Sequence, residues 1–212
     1  MSDDTHQRRR YRSVHRREQA EETRAGVLAA ARQLFEARGY DATTIAAVAE
    51  LAGVSAETVY AHFGSKRALL GELFRRAVRG GDVRPVPEQG VPRALAAVAD
   101  QREQLRSFAA DIVPRLERAA PLVAVLAGAS RSEPELAELL ARLHADRRKN
   151  LLVLIEALEA NRALLLGKED ALDTVWALTS PELHQLLRRV GGWDVSRYQT
   201  WLEQSLRRLL LP

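Results

Sequence analysis

The stretch TTIAAVAELAGVSAETVYAHFGSKRALLGELF (residues 43–74) reads as short helices separated by glycines. Ile45, Val48 and Ala49 fall on one face of a helix over about 44–52, with Thr43 or Thr44 as its cap. Gly53 breaks the chain, and Ser55 caps the next helix. Val54 and Val59 stand at the spacing of a hydrophobic staple, which fixes how the chain enters that helix. Glu57 complements the positive end of the helix dipole. Gly64 closes the helix and Ser65 caps a fourth, whose inward residues are Leu69, Leu70, Leu73, Phe74 and Val78.

Helix, glycine turn and helix is a unit that holds one helix by packing so that the next can lie in the major groove of B-DNA. Turning the third helix through about 100° per residue puts Val59 and Phe63 inward. Glu57 and Ala61 then point out, flanked by Thr58, His62 and Tyr60. This outward face is small and polar, as a groove-docking surface requires.

Upstream, Val27, Leu28, Ala31, Leu34 and Phe35 mark the inner face of a helix over 18–38, which Gly39 stops. Before it lies an arm, residues 1–17, with six arginines against two acids. Residues 18–80 hold eight basic and eight acidic groups and residues 81–212 eighteen of each, so the net charge of +4 resides in the arm. Such a segment is too polar to fold alone; it suits a polyanionic partner, and it equally suits a disordered solubilising tail.

Downstream, GGDVRPVPEQGVP (residues 80–92) reads as a loop between regions. Helical periodicity resumes over about 92–112, 115–129, 133–162, 169–189 and 195–210. Pro114 and Pro134 fall near expected helix starts. Pro181, preceded by the capping residue Ser180, predicts a break. Gly191 and Gly192 end that helix, and Asp194 caps the last one. The final two helices carry largely apolar stripes, Leu172, Val175, Trp176, Leu183, Leu186, Leu187 and Val190 on one and Tyr198, Trp201, Leu202, Ser205, Leu206, Leu209 and Leu210 on the other. No strand pattern stands out, and the expected fold is all-α.

With no cysteine, the 212-residue chain has no disulfide, thiol nucleophile or Cys-based zinc site. It shows no glycine-rich phosphate loop, His-x-x-x-His pair or nucleophile elbow, so no catalytic residue, metal or cofactor is expected. Without a signal-peptide pattern or an apolar run of roughly 18 residues, it reads as cytoplasmic, with no membrane partner.

Residues 43–74 resemble the N-terminal signature of TetR-family (TetR/AcrR-type) transcriptional regulators. The resemblance is carried by the Thr43–Thr44 pair, the AGVS of Ala52–Ser55, the core of Thr58, Val59, Tyr60, His62 and Phe63, and Lys66 opening the next helix. It covers about residues 20–75, and the ending WALTSPELHQLLRRVGGWDVSRYQTWLEQSLRRLL resembles family endings more weakly. It implies a three-helix DNA-binding domain over 18–64, after the arm 1–17. A fourth helix then leads into an all-helical ligand-binding and dimerisation domain over 65–212.

By the same resemblance, Thr43, Thr44, Ser55, Tyr60, His62 and Lys66 lie on the DNA-binding surface, with Thr44, Tyr60, His62 and Lys66 on phosphates. Ala56, Glu57, Thr58 and Ala61 would face base edges. Tyr60 and His62 as packing residues, and Thr58 as a helix-start hydroxyl, are the structural alternatives. One departure is plain: the reading face has no Arg, Lys, Asn or Gln, the usual bidentate partners of guanine and adenine. The partners implied are double-stranded operator DNA, a second copy held through the last two helices, and a small apolar effector that releases a repressor from a palindromic site. A pocket would lie between the helices of 92–165, with Phe108, Asp111, Arg115, His144 and Trp176 as its candidate residues. A helical protein–protein adaptor with a basic tether is the second reading.

Overall fold

The computed structural model describes residues 3–212, with side chains described from Glu18 onward. Among them all regular structure is helical. The chain divides into two compact units, residues 1–73 and 74–212.

In the first unit, α1 spans Asp3–Arg38, α2 Ile45–Ala52, α3 Ala56–Phe63, and α4 begins at Lys66 and runs to Arg79. The helix α1 thus reaches back into the expected arm; the side chains of residues 3–17, and with them any role of the arm, lie outside the described residues. Val27, Leu28, Ala31, Leu34 and Phe35 are all buried, as their spacing predicts. Ile45, Val48, Val59, Leu69 and Leu70 are buried with them, each of the larger side chains worth about 1.5–3 kcal/mol in area removed from water. Three glycines, Gly39, Gly53 and Gly64, end α1, α2 and α3 at φ of 77°, 67° and 75°, a region that costs a side chain its Cβ clearance. Arg24 fastens the assembly: its guanidinium lies 4.7 Å over the Phe63 ring, donates to the His62 carbonyl and pairs with Glu72 at 3.0 Å.

In the second unit, α5 (Gly90–Ala94), α6 (Gln101–Ala129), α7 (Pro134–Glu159), α8 (Lys168–Leu178), α9 (Pro181–Gln185) and α10 (Val195–Leu210) surround one core. Residues 80–92 are less irregular than their Gly/Pro content predicts, since a 3-10 turn (Val86–Glu88) and α5 form there. The helix expected from 92 starts at Gln101 instead, capped by Asp100, whose carboxylate accepts the Arg102 N–H at 2.9 Å. It then passes unbroken through Pro114 and Pro121, where a boundary was expected at Pro114. An interior proline costs about 3 kcal/mol. Here Ala110, whose carbonyl loses its partner to Pro114, is exposed, while Val113 and Leu116 on the inner face are fully packed.

Two buried carboxamides close the far end of the core. Gln101 donates to the carbonyls of Leu158 and Arg162, and Gln104 to those of Leu95 and Ala157. The predicted break at Pro181 is present, with Ser180 as cap. Beyond α9 the chain widens into a π-turn over Leu186–Val190, closed by the Gly191 N–H on the Leu186 carbonyl. Gly191 is required there, because a Cβ would lie 2.7 Å from the Leu187 carbonyl oxygen. Asp194 caps α10 as predicted, accepting the Arg197 N–H at 2.7 Å.

Candidate nucleic-acid interface and ligand cavity

The outward face of α3 is set by its cap. Ser55 Oγ accepts the Thr58 N–H at 3.2 Å and shares a 3.1 Å hydrogen bond with the Thr58 hydroxyl. That fixes the first turn, from which Glu57 projects fully into solvent. A bond from its own backbone, then one from Ser55, holds the Glu57 carboxyl below the usual range, so it is an acceptor at neutral pH. Tyr60 is 54% exposed, with Ala61 beside it, and His62 is half-buried against Phe63.

The two threonines before α2 part company. Thr44 is the cap, accepting the Ala47 N–H at 3.1 Å on the surface. Thr43 is fully buried and donates to the Gly39 carbonyl at 2.7 Å. The structure therefore turns Thr43 into the joint between α1 and α2, away from the surface the sequence assigned it. The other nine predicted positions (Thr44, Ser55, Ala56, Glu57, Thr58, Tyr60, Ala61, His62 and Lys66) are exposed or half-buried and lie on α3 or at the starts of α2 and α4. Lys66 is not a freely swinging cation. Its ammonium donates to the Tyr40 carbonyl at 2.9 Å and sits 4.0 Å from the Tyr40 ring centroid, a cation–π seat that still leaves N–H donors for an anion.

The second unit contains a cavity of about 330 Å³. Its walls are Phe74 and Val78 of α4, Val91 and Leu95, Phe108 and Ile112 of α6, and Leu151 and Leu154 of α7. Three of the five predicted residues, Phe108, Asp111 and Arg115, line it. Arg115 organises that wall. It takes Asp111 in a two-pronged pair at 2.8 Å, and donates at 2.8 Å to the Val78 carbonyl and to the Gln89 side chain. His144 and Trp176 are not among the lining residues; they pack edge-on against each other at 6.0 Å.

Sequence reasoning passed over Arg147, which does line the cavity. Its guanidinium donates to the Trp176 and Thr179 carbonyls and to the Thr179 hydroxyl, and stacks 5.0 Å from the Trp176 ring. Its Nε is buried without a partner. Burial pushes its pKa down to about 10, with Glu182 pulling the other way. Nothing local announced it, since its partners lie 29 and 32 residues away.

The family profile "Bacterial regulatory proteins, tetR family" matches residues 27–73, the segment that contains the cap, the reading face and Lys66. Residues of this chain are 46% identical over 58 positions to the HTH-type transcriptional regulator TtgR of Pseudomonas putida, covering 27% of the chain and 28% of that protein. The crystal structure of NalD, described as the secondary repressor of the MexAB-OprM multidrug efflux pump in Pseudomonas aeruginosa, superposes with a TM-score of 0.66 at 25% identity, over 92% of this chain and 98% of that one.

The chain carries, over residues 27–73, the signature of the tetR family of bacterial regulatory proteins.

Its likeness to curated members is concentrated at the N-terminus. The HTH-type transcriptional activator FasR of Mycolicibacterium smegmatis is 36% identical over 87 residues, 41% of this chain and 37% of that protein. The chain thus matches these two curated relatives over less than half of their length. Among the described residues no helix is long and apolar enough to cross a membrane.

Proposed function

We propose that this regulator binds a palindromic operator as a homodimer, as a repressor released when a small molecule enters the cavity. The observation that carries the reading is the outward face of α3, where Glu57, Tyr60 and Ala61 are exposed on a helix whose inner face is fixed by Val59 and Phe63. Groups on that face make no core contacts, so they are available to base edges. Glu57 suits a cytosine amino group, the alanines suit thymine methyls, and Thr44, Tyr60 and Lys66 suit phosphates.

Dimerisation is supported by apolar side chains left uncovered near the end of the chain: Leu186 is 54% exposed, Val190 80% and Leu209 46%. Exposed aliphatic groups on consecutive elements are what a second copy would cover. A single small reading head also contacts too few base pairs for useful specificity, and a two-fold partner doubles them. Repression is the sign favoured by the likeness to NalD over nearly the full chain. The cavity lies against Phe74 and Val78 on the second half of α4, whose first half, from Lys66, belongs to the DNA-binding signature; occupancy that displaces this helix would shift the population of DNA-binding states.

Selection from a random duplex pool at near-physiological salt tests the reading. An enriched inverted repeat is expected. Binding without enrichment that vanishes as salt rises would reduce the interaction to phosphate attraction and overturn it.

A further inference from the structure

We propose that the cavity takes an amphipathic monoanion, an alkyl or aryl carboxylate, with its tail among the aliphatic side chains of α6 and α7 and its headgroup at Arg147. The inference deepens the effector reading above and rests on it only for the regulatory consequence; binding itself is judged separately.

Charge is the first argument. The cavity is lined by five basic side chains (Arg75, Arg79, Arg115, Arg147 and Lys149) and two acidic ones (Asp111 and Asp146). Asp111 is committed to Arg115 in a two-pronged pair. Arg75, Asp146 and Lys149 are exposed to solvent and Arg75 is engaged elsewhere, so the charge that counts inside the apolar walls is that of Arg147.

The second argument is the state of Arg147. Its hydrogen-bond partners are a hydroxyl and two carbonyls, all neutral, and its buried Nε has none. Glu182 offsets part of the cost of withdrawing this cation from water, and a carboxylate presented to the planar guanidinium adds a directly bonded counter-charge and an acceptor for Nε. A cationic ligand would add like charge, and a neutral acceptor could meet Nε without bringing a counter-charge.

Size completes the description. The cavity, about 330 Å³ and partly open to solvent, has room for a short alkyl chain.

The test compares decanoate, decanol and decyltrimethylammonium, all below their micellar concentrations, as ligands of the full chain by thermal shift and titration calorimetry. Decanoate is expected to bind about tenfold or more tighter than decanol, the effect of a charge-assisted hydrogen bond, and the ammonium weakest. Arg147→Met should bring decanoate and decanol to within about threefold. Equal or tighter binding of the ammonium, an unchanged decanoate preference in Arg147→Met, or no binding by any of the three overturns the proposal. The wild-type comparison stands alone should the variant not fold. Duplex selection on ligand-free protein reports on the regulator reading independently, so either conclusion can fail without the other.

Discussion

On the reading face, the caps that place the outward residues reach only three residues along the chain, Thr44 to Ala47 and Ser55 to Thr58. On the cavity wall, Arg115 reaches 26 residues to Gln89 and 37 to Val78, and Arg147 reaches 29 and 32. The first surface is written by local rules that any helix start obeys. The second exists only once distant segments have met, and each of its arginines fastens several of them at once.

That contrast is open to direct attack. The largest effect is expected from Arg115→Met, which leaves Asp111 without its partner and the Gln89 Oε1 without its donor. Since Arg115 and Asp111 are 10% and 18% exposed, the loss should be about 3 kcal/mol, read from the denaturant midpoint. Adding Asp111→Leu should recover part of it, because the stranded carboxylate is then gone; no recovery would mean that the contacts to Val78 and Gln89 carry the whole effect. A smaller loss, about 1 kcal/mol, is expected for Ser55→Ala, with Ser55→Gly retaining most of the stability, as a purely local cap predicts. A Ser55→Ala loss as large as that of Arg115→Met would erase the distinction.

The smallest expected effect concerns pH. His184 is buried, with Nε2 2.7 Å from Glu117 and edge-on to the Tyr198 ring. Burial holds its pKa below the ordinary 6.5, against the pull of Glu117. As pH falls below about 6.5 the unfolded chain therefore takes up a proton that the folded one refuses, and stability declines. Glu117, held below its ordinary 4.5 chiefly by Arg188, adds a further decline in more acid solution. Denaturant midpoints measured from neutral to mildly acid pH should fall, and His184→Gln should flatten the first part of the slope.

The same distinction governs what could be read from sequence. Ser55, Ser180 and Asp194 announced their helices because a cap is a relation between near neighbours. Thr43 and Thr44 exposed the limit of that logic: adjacent, identical residues offer one cap and one joint, and only the depth of the α1–α2 turn tells them apart. Pro114 misled for the opposite reason. Its local signal is a stop, but packing of Val113 and Leu116 against distant helices outweighs it. Phe108, Asp111 and Arg115 were named, with His144 and Trp176, as polar or aromatic groups that could serve a pocket between the helices of 92–165, whereas Arg147 stands in a run of charges and takes its place only from Trp176 and Thr179, 29 and 32 residues on.

The exposure of Tyr60 and Ala61 has an evolutionary corollary. Side chains that hold nothing else in place can be exchanged without a folding penalty, so under the proposed function the DNA sequence preference could drift, or be redirected by selection from a library at these positions, while the scaffold beneath stays as it is. Glu57, tied back to the Ser55 cap, is where that freedom begins to end.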